Sequence, residues 1–420
     1  MNIAQGAQGK RRVAIVGTGH RGLGMWGKEL LAECGAWVDI VALCDSNPLR
    51  LARGKEILGG SPRIYEDLDT LLASEKPETL IVCSRDTDHD GHIVKALEAG
   101  CHVVTEKPMA MTAAKVRRIL EAEHRTGGRV DVTFNYRYAP TSARIKTLLN
   151  SGAIGRVASV DFHWYLDVQH GADYFRRWHA YEANSGSLFV HKATHHFDLL
   201  NWYLDSDPEE VFARGELNNY GRKGPFRGPR CKICEYASVC DYHVDINADP
   251  WLEALYEEPS RVDGYVRDAC VFREDIDIPD TMSAAIRYRN GVQVSYSLNT
   301  FMPIEGHHLA FNGTKGRIEI RQYERQSWET PDYDEILLLR NFGESERIRV
   351  PHEPGGHFGG DPKLHRMLFK PGGEDPLRQR AGAEAGAWSA LCGVAALESA
   401  KKGQPVRVPD LFAADTPALA

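Results

Sequence analysis

The 420-residue sequence predicts an α/β protein in two parts: a doubly wound parallel sheet, then an α+β domain built on a largely antiparallel sheet. Three observations carry this. An apolar β-type run, Arg11 to Val16, stops at the glycine-rich turn Gly17-Thr-Gly-His-Arg-Gly22 and continues as helix through about Cys34. Up to Phe134, β-type and α-type segments alternate, which is the grammar of a parallel sheet. From Arg156 the strands lengthen, and Asn290-Gly291 joins two of them as a hairpin.

In order, the first part reads as strand Val38 to Cys44, helices Pro48 to Ile57 and Tyr65 to Ala73, and the buried-type strand Thr79 to Cys83. Helix His89 to Ala99, strand Cys101 to Thr105, helix Thr112 to Arg125 and strand Arg129 to Phe134 follow. The change of pattern divides the chain near Arg137, into 1–137 and 138–420. The second part offers strands at Val157 to Val168, Thr281 to Tyr288, Val292 to Thr300, His307 to Phe311, Gly316 to Arg321, Glu335 to Leu339 and Arg347 to Val350. Its helices are Gly186 to Leu204 and Ala383 to Lys401, and 218–280 is an irregular insertion rich in Gly, Pro, Tyr and acids.

Composition narrows the function. With 51 basic and 58 acidic residues the chain has neither a nucleic-acid footprint nor a basic face for anionic lipid. No apolar run reaches the length of a membrane span, and Met1 to Lys10 lacks a signal-peptide core, so a cytoplasmic protein is expected. Cys34, Cys44, Cys83, Cys101 and Cys392 stand singly in apolar segments, as buried reduced thiols do.

The chemistry begins at the first turn. Gly17 permits the tight bend, Gly19 admits a pyrophosphate to the backbone, and Gly22 lets the helix pack close, with His20 and Arg21 at the helix N-terminus. Asp45 ends the second strand 23 residues after Gly22, where a carboxylate can accept from a ribose hydroxyl, so the expected cofactor is NAD. An unliganded glycine turn is the plainer alternative. Strand four delivers Ser84, Asp86 and His89 to the same edge, as cofactor contacts or as a polar capping loop. Strand five runs into Glu106-Lys107-Pro108, placing a lysine at the carboxyl end of a parallel strand, where open α/β sheets bind ligands.

His191 and His195 are four apart and so share a helix face, a spacing that suits catalysis, substrate binding or a metal. Asp198, one turn on, could orient that helix or touch substrate. Cys231-x2-Cys234-x5-Cys240 offers three soft ligands for zinc or an iron–sulfur cluster, with His243 or Cys270 as the fourth; free thiols or a disulfide are the alternatives. Such a metal would order the insertion and leave the dinucleotide site, in the other domain, untouched. Gly355 to Asp361 lets backbone approach a ligand, with His357 or Asp361 reaching hydroxyls, or is a plain loop with Asp361 as helix cap.

The turn Val16 to Gly22, Glu106-Lys107-Pro108, Asn135-Tyr136-Arg137, the stretch Gly186 to Asp198 and Gly-Thr-Lys-Gly316 together resemble the glucose-fructose oxidoreductase, inositol dehydrogenase and MocA family. The resemblance implies a Rossmann domain and a substrate domain that forms homo-oligomers, dimers or tetramers, through an open sheet with an exposed apolar face. It implies Lys107 and His195 as the catalytic pair, and Tyr136, Arg137, His191, Asp198 and His357 around a small polyhydroxylated substrate. Many relatives carry aspartate where this chain has His191. The resemblance also points to Cys270 as the fourth cysteine ligand. The expected reaction is hydride transfer between a secondary hydroxyl of a sugar, glycoside or cyclitol and NAD. The rivals are a redox-assisted glycosidase that regenerates its NAD, and a non-catalytic dinucleotide-sensing regulator.

Overall fold

The computed structural model describes residues 9–413; the first eight residues, read above as part of a leaderless start, and the last seven lie outside the described residues. Strands β1 (Arg11–Val16), β2 (Val38–Cys44), β3 (Arg63–Tyr65), β4 (Thr79–Val82), β5 (His102–Thr105) and β6 (Val130–Val132) pair in parallel in the order 3-2-1-4-5-6. Val13, Ala14 and Ile15 in β1 and Leu80, Ile81 and Val82 in β4 are wholly buried, because helices cover both faces. Strand order reverses between β1 and β4, so a crevice opens at their carboxyl ends.

Side-chain caps set the helix starts: Asn47 accepts from Leu49 N and Arg50 N, and Thr112 from Lys115 N. The helix expected from Tyr65 begins at Leu68, because Arg63–Tyr65 pairs with β2 and Asp67 caps the helix from Thr70 N. The helix after the glycine turn opens into a π-helical turn at Gly24–Glu29.

The second sheet contains β7 (Val157–Asp167), β8 (Pro208–Glu216), β9 (Thr281–Tyr288), β10 (Gln293–Met302), β11 (Glu305–Gly313), β12 (Gly316–Arg325), β13 (Tyr333–Arg340) and β14 (Glu346–Pro351). Its order is 14-13-12-11-7-10-9-8, antiparallel throughout except for β7 beside β10. The apolar set of each strand faces the helices. The other face presents Ser159, Asp161, His163, Ser295, Ser297 and Glu319 beside Tyr165, Phe301, Leu337 and Leu339, so the open face expected to be apolar is mixed.

Two late strands tie the domains together. β15 (Ala381–Gly382) adds antiparallel to β6, and β16 (Val406–Arg407) closes the β8 edge. The helix Ala383–Lys402 packs on β8 and on the helix Ala193–Leu204, and the chain therefore recrosses the division drawn at Arg137. At that division Arg137 donates from Nε and Nη2 to Asp198 Oδ2 and Oδ1, at 2.7 and 2.5 Å, both side chains buried. Burial pushes the Asp198 carboxyl up to about 6 against the pull of Arg137.

Removing one partner strands a buried charge, so Arg137→Ala is expected to cost about 3–5 kcal/mol in denaturant unfolding, whereas Arg137→Met with Asp198→Leu recovers most of it. Equal losses in the single and double variants would show that the pair is not coupled.

Candidate functional site

The glycine turn fits a dinucleotide on steric grounds. A Cβ on Gly17, whose φ is +91°, would stand 2.5 Å from the Cys83 carbonyl, and one on Gly22 would stand 2.0 Å from Gly17 O. Only glycines let β1, β4 and the helix meet this closely. Arg21 donates from Nε to Glu106 Oε1 at 2.8 Å, Trp26 Nε1 donates to the same oxygen at 2.8 Å, and Arg21 reaches Asp361 at 3.6 Å. Glu106 therefore clamps the turn to the end of β5 through Oε1.

Asp45 stands where expected but is already engaged. Its Oδ2 accepts from Thr18 N and Oγ1 at 2.8 and 3.0 Å, and its Oδ1 accepts from Asn47 N and Arg50 Nη1, each at 3.0 Å. Arg50 also pairs with Asp263 at 2.7 Å. A ribose hydroxyl must exchange with one of those donors. The insertion, read as remote from this site, lies on it: His20 N donates to Tyr256 Oη at 2.7 Å, and Trp251 Nε1 donates to His20 Nδ1 at 2.8 Å. Tyr256 Oη would stand 3.0 Å from a Cβ on Gly19.

Lys107 enters the crevice from β5 and its Nζ donates to the carbonyl of His191 at 3.0 Å. That carbonyl would otherwise accept from His195 N, which bonds Lys192 O at 3.2 Å instead. The single helix expected over Gly186 to Leu204 is therefore split into Ser187–His191 and Ala193–Leu204. The break gives the two histidines different surroundings. His191 Nδ1 meets Asp86 Oδ2 at 2.6 Å, and its ring lies 4.1 Å from that of His179. His195 packs against Tyr136 at 4.8 Å and His357 at 5.7 Å, and its buried Nδ1 has no partner.

Burial, and then the Lys107 charge, hold both His191 and His195 well below the ordinary imidazole range, so both are neutral at pH 7. Burial also lowers Lys107 to about 8, resisted by Asp86 and Glu106, while burial raises Asp86 well above the carboxylate range.

The glycine-rich loop completes the wall. His357 and Phe358 adopt left-handed φ of 52° and 56°, which turns the His357 ring to 5.0 Å from Tyr136. Its Nδ1 pairs with Asp361 Oδ2 at 3.0 Å, and Asn135 Nδ2 donates to Asp361 Oδ1 at 2.6 Å. Asp361 is thus an anchor, and His357 is the residue presented.

Some assignments made from sequence change. Arg137 and Asp198 pair with each other, the helix-orienting alternative for Asp198, and Arg137 Nη1 also donates to Arg378 O at 3.2 Å. His89 bridges two loops, with Nδ1 at 2.8 Å from Pro108 O and Nε2 at 3.2 Å from Ser84 O, and Ser84 Oγ meets His92 Nδ1 at 2.9 Å. Both His89 and Ser84 hold the crevice edge in shape. Sequence reasoning missed His179 and Lys192. The Lys192 ammonium lies 5.2 Å from Trp164 and 5.8 Å from Tyr136, and burial lowers its pKa. Its place between the two helix histidines was the available signal. Between the insertion and the segment around Gln169 to Arg176, a cavity of about 550 Å³ is walled by Gln169, Asp173, Arg176, Asp245 and Arg267 among others.

A dinucleotide turn facing a buried lysine–histidine cluster defines an NAD-binding oxidoreductase. Residues 11–134 match the model described as the oxidoreductase family, NAD-binding Rossmann fold, and 146–408 match that family's C-terminal alpha/beta domain. The chain belongs to the Gfo/Idh/MocA oxidoreductase family. It is 40% identical over 425 residues to YteT of Bacillus subtilis (strain 168), which bears an oxidoreductase name, covering 96% of this chain and 99% of that one. Inositol 2-dehydrogenase of Salmonella typhimurium (strain LT2) is 28% identical over 270 residues, 61% of this chain and 77% of that protein. The structure of the Bordetella pertussis WlbA dehydrogenase with NADH and UDP-GlcNAcA shares the fold, with a TM-score of 0.66 at 20% identity over 95% of this chain and 97% of that one. Among the described residues no helix is long and apolar enough to cross a membrane.

Arg50 is neutralised between Asp45 and Asp263, so a 2'-phosphate would meet a carboxylate without a free cation. Asp45→Ala is expected to weaken NAD binding and to improve NADP binding relative to NAD by about tenfold or more, measured by fluorescence titration of the reduced cofactors. An unchanged ratio would remove Asp45 from cofactor selection.

Proposed function

We propose that the chain transfers hydride between NAD and a secondary hydroxyl of a sugar, glycoside or cyclitol, with His195 and Lys107 as the catalytic pair. The observation that carries this reading is the insertion of Lys107 into the opened helix between His191 and His195, at the dinucleotide crevice. His195, neutral at pH 7, accepts the hydroxyl proton. The Lys107 ammonium stabilises the oxyanion that remains. A bound dinucleotide would supply the hydride acceptor. His191, held by Asp86, orients the substrate. The inositol dehydrogenases among the relatives support that substrate class.

A second reading, redox-assisted glycoside cleavage with the cofactor regenerated in place, is favoured by the seating of Trp251 and Tyr256 on the turn, which would slow cofactor exchange. A glycoside panel separates the two. A dehydrogenase accumulates NADH and ketone, whereas the cleaving enzyme releases sugar without net NADH.

His195→Ala and Lys107→Ala should each lower kcat by roughly two to four orders of magnitude with little change in NAD affinity, while His191→Ala acts mainly on substrate KM. Near-normal kcat in His195→Ala would transfer the base role to His191.

The pH dependence follows from the Lys107 cation. Its charged form persists below its pKa of about 8, so kcat for alcohol oxidation is expected to fall as pH rises through that value. A kcat that climbs steadily from pH 7 to well above that pKa would contradict an ammonium role.

A further inference from the structure

Away from the reaction centre, the insertion gathers four thiols around one small cavity. Arg230 and Ala269 form an antiparallel bridge, with Cys231 N donating to Asp268 O at 2.8 Å and Cys270 N to Pro229 O at 3.2 Å, so two cysteines start side by side. The 3-10 turn Cys231–Ile233, closed by Cys234 N to Cys231 O at 3.1 Å, folds the third back toward them. Cys240 joins from the next turn, and all four line a cavity of about 10 Å³. That is room for one atom-sized occupant and too little for a four-iron cluster.

Two donors already favour sulfur as an acceptor there: Arg176 Nη1 lies 3.4 Å from Cys231 Sγ, and Phe272 N lies 3.4 Å from Cys270 Sγ. Cys270 is buried while His243 is exposed, which selects the cysteine as fourth ligand. Among the described residues no three His, Cys, Asp or Glu side chains form a closed coordination set. The backbone nevertheless brings the four cysteines to one cavity, and a cysteine turns from lining to ligating by rotation about its single χ1.

We propose that Cys231, Cys234, Cys240 and Cys270 bind one zinc ion, and that this ion secures the segment lying on the dinucleotide turn. The connection is short. Arg230 and Lys232, which flank Cys231, each pair with Glu257 at 2.5 Å, and the residue before Glu257 is Tyr256, which accepts from His20 N at the turn. A tetrahedral tetrathiolate suits zinc, whose structural sites are closed by four protein ligands.

The test uses the purified full chain in reducing buffer. Elemental analysis should find about one zinc per chain, lost in Cys234→Ser, and stripping the native chain with a thiol-reactive dye should release zinc as four thiols titrate. Metal-free protein with all four thiols reactive from the start would overturn the site, and an iron–sulfur absorption spectrum would overturn zinc. The second arm rests on the dinucleotide reading. Zinc removal should speed NADH release by about tenfold, and Glu257→Gln should do so with zinc retained. Unchanged release in both overturns the link to the cofactor, whereas failure to bind NADH at all strikes the dinucleotide reading and leaves the zinc count standing.

Discussion

The site depends on one exchange of hydrogen bonds. Lys107 Nζ takes the His191 carbonyl that a continuous helix would give to His195 N, and His195 N shifts to Lys192 O. The exchange costs one regular helical bond and supplies a buried ammonium with a fixed acceptor. An ammonium without such partners would lose several kcal/mol of hydration. Asp86 and Glu106 offset much of that loss, since both oppose the lowering of the Lys107 pKa. Burial first, and this cation with it, keeps His179, His191 and His195 neutral.

The same cluster is braced from distant parts of the chain. Glu106, next to Lys107, binds Arg21 and Trp26 of the first turn and helix, and Arg21 reaches Asp361 from the late loop. Asp361 holds His357 in a left-handed conformation that costs roughly 1–2 kcal/mol per residue in an ordinary side chain. Such a conformation persists because Asn135, Arg21 and the close backbone approach at Gly360 fix the loop; a Cβ there would stand 2.4 Å from Asn135 O. The glycine turn, Lys107 and the late glycine-rich loop are therefore joined in one network.

What could be read from the sequence was what short-range chemistry dictates. The glycines of the first turn, the strand-ending Asp45 and the Asn290-Gly291 hairpin act within a few residues of themselves, and all stand in the structure as expected. Lys107 could be placed because a parallel strand delivers its carboxyl end to the crevice. The break at Lys192 could not, since its cause lies 84 residues away. The same holds for Arg137 and Asp198, whose polar character suggested ligand contact until the fold paired them at a separation of 61 residues. A charged side chain reads alike in sequence whether it meets substrate or a partner. Only the three-dimensional pairing separates the cases.

The insertion shows the limit most clearly. Asp280 fastens its two ends, accepting from Asn218 N, Asn219 N and Tyr220 N at 2.9, 2.7 and 3.1 Å, so a segment of 63 residues in sequence begins and ends at one carboxylate. With its ends fixed on the second domain, its middle reaches back to the first, where Asp263 takes the far side of Arg50. Asp45 alone would leave Arg50 with a free flank able to attract an anionic group. With Asp263 in place the guanidinium is enclosed by two carboxylates and a backbone carbonyl, that of Leu255 at 3.2 Å. The surroundings of Asp45 are therefore built by both domains. The insertion encloses Arg50 from one side, and the acid that ends the second strand holds it from the other.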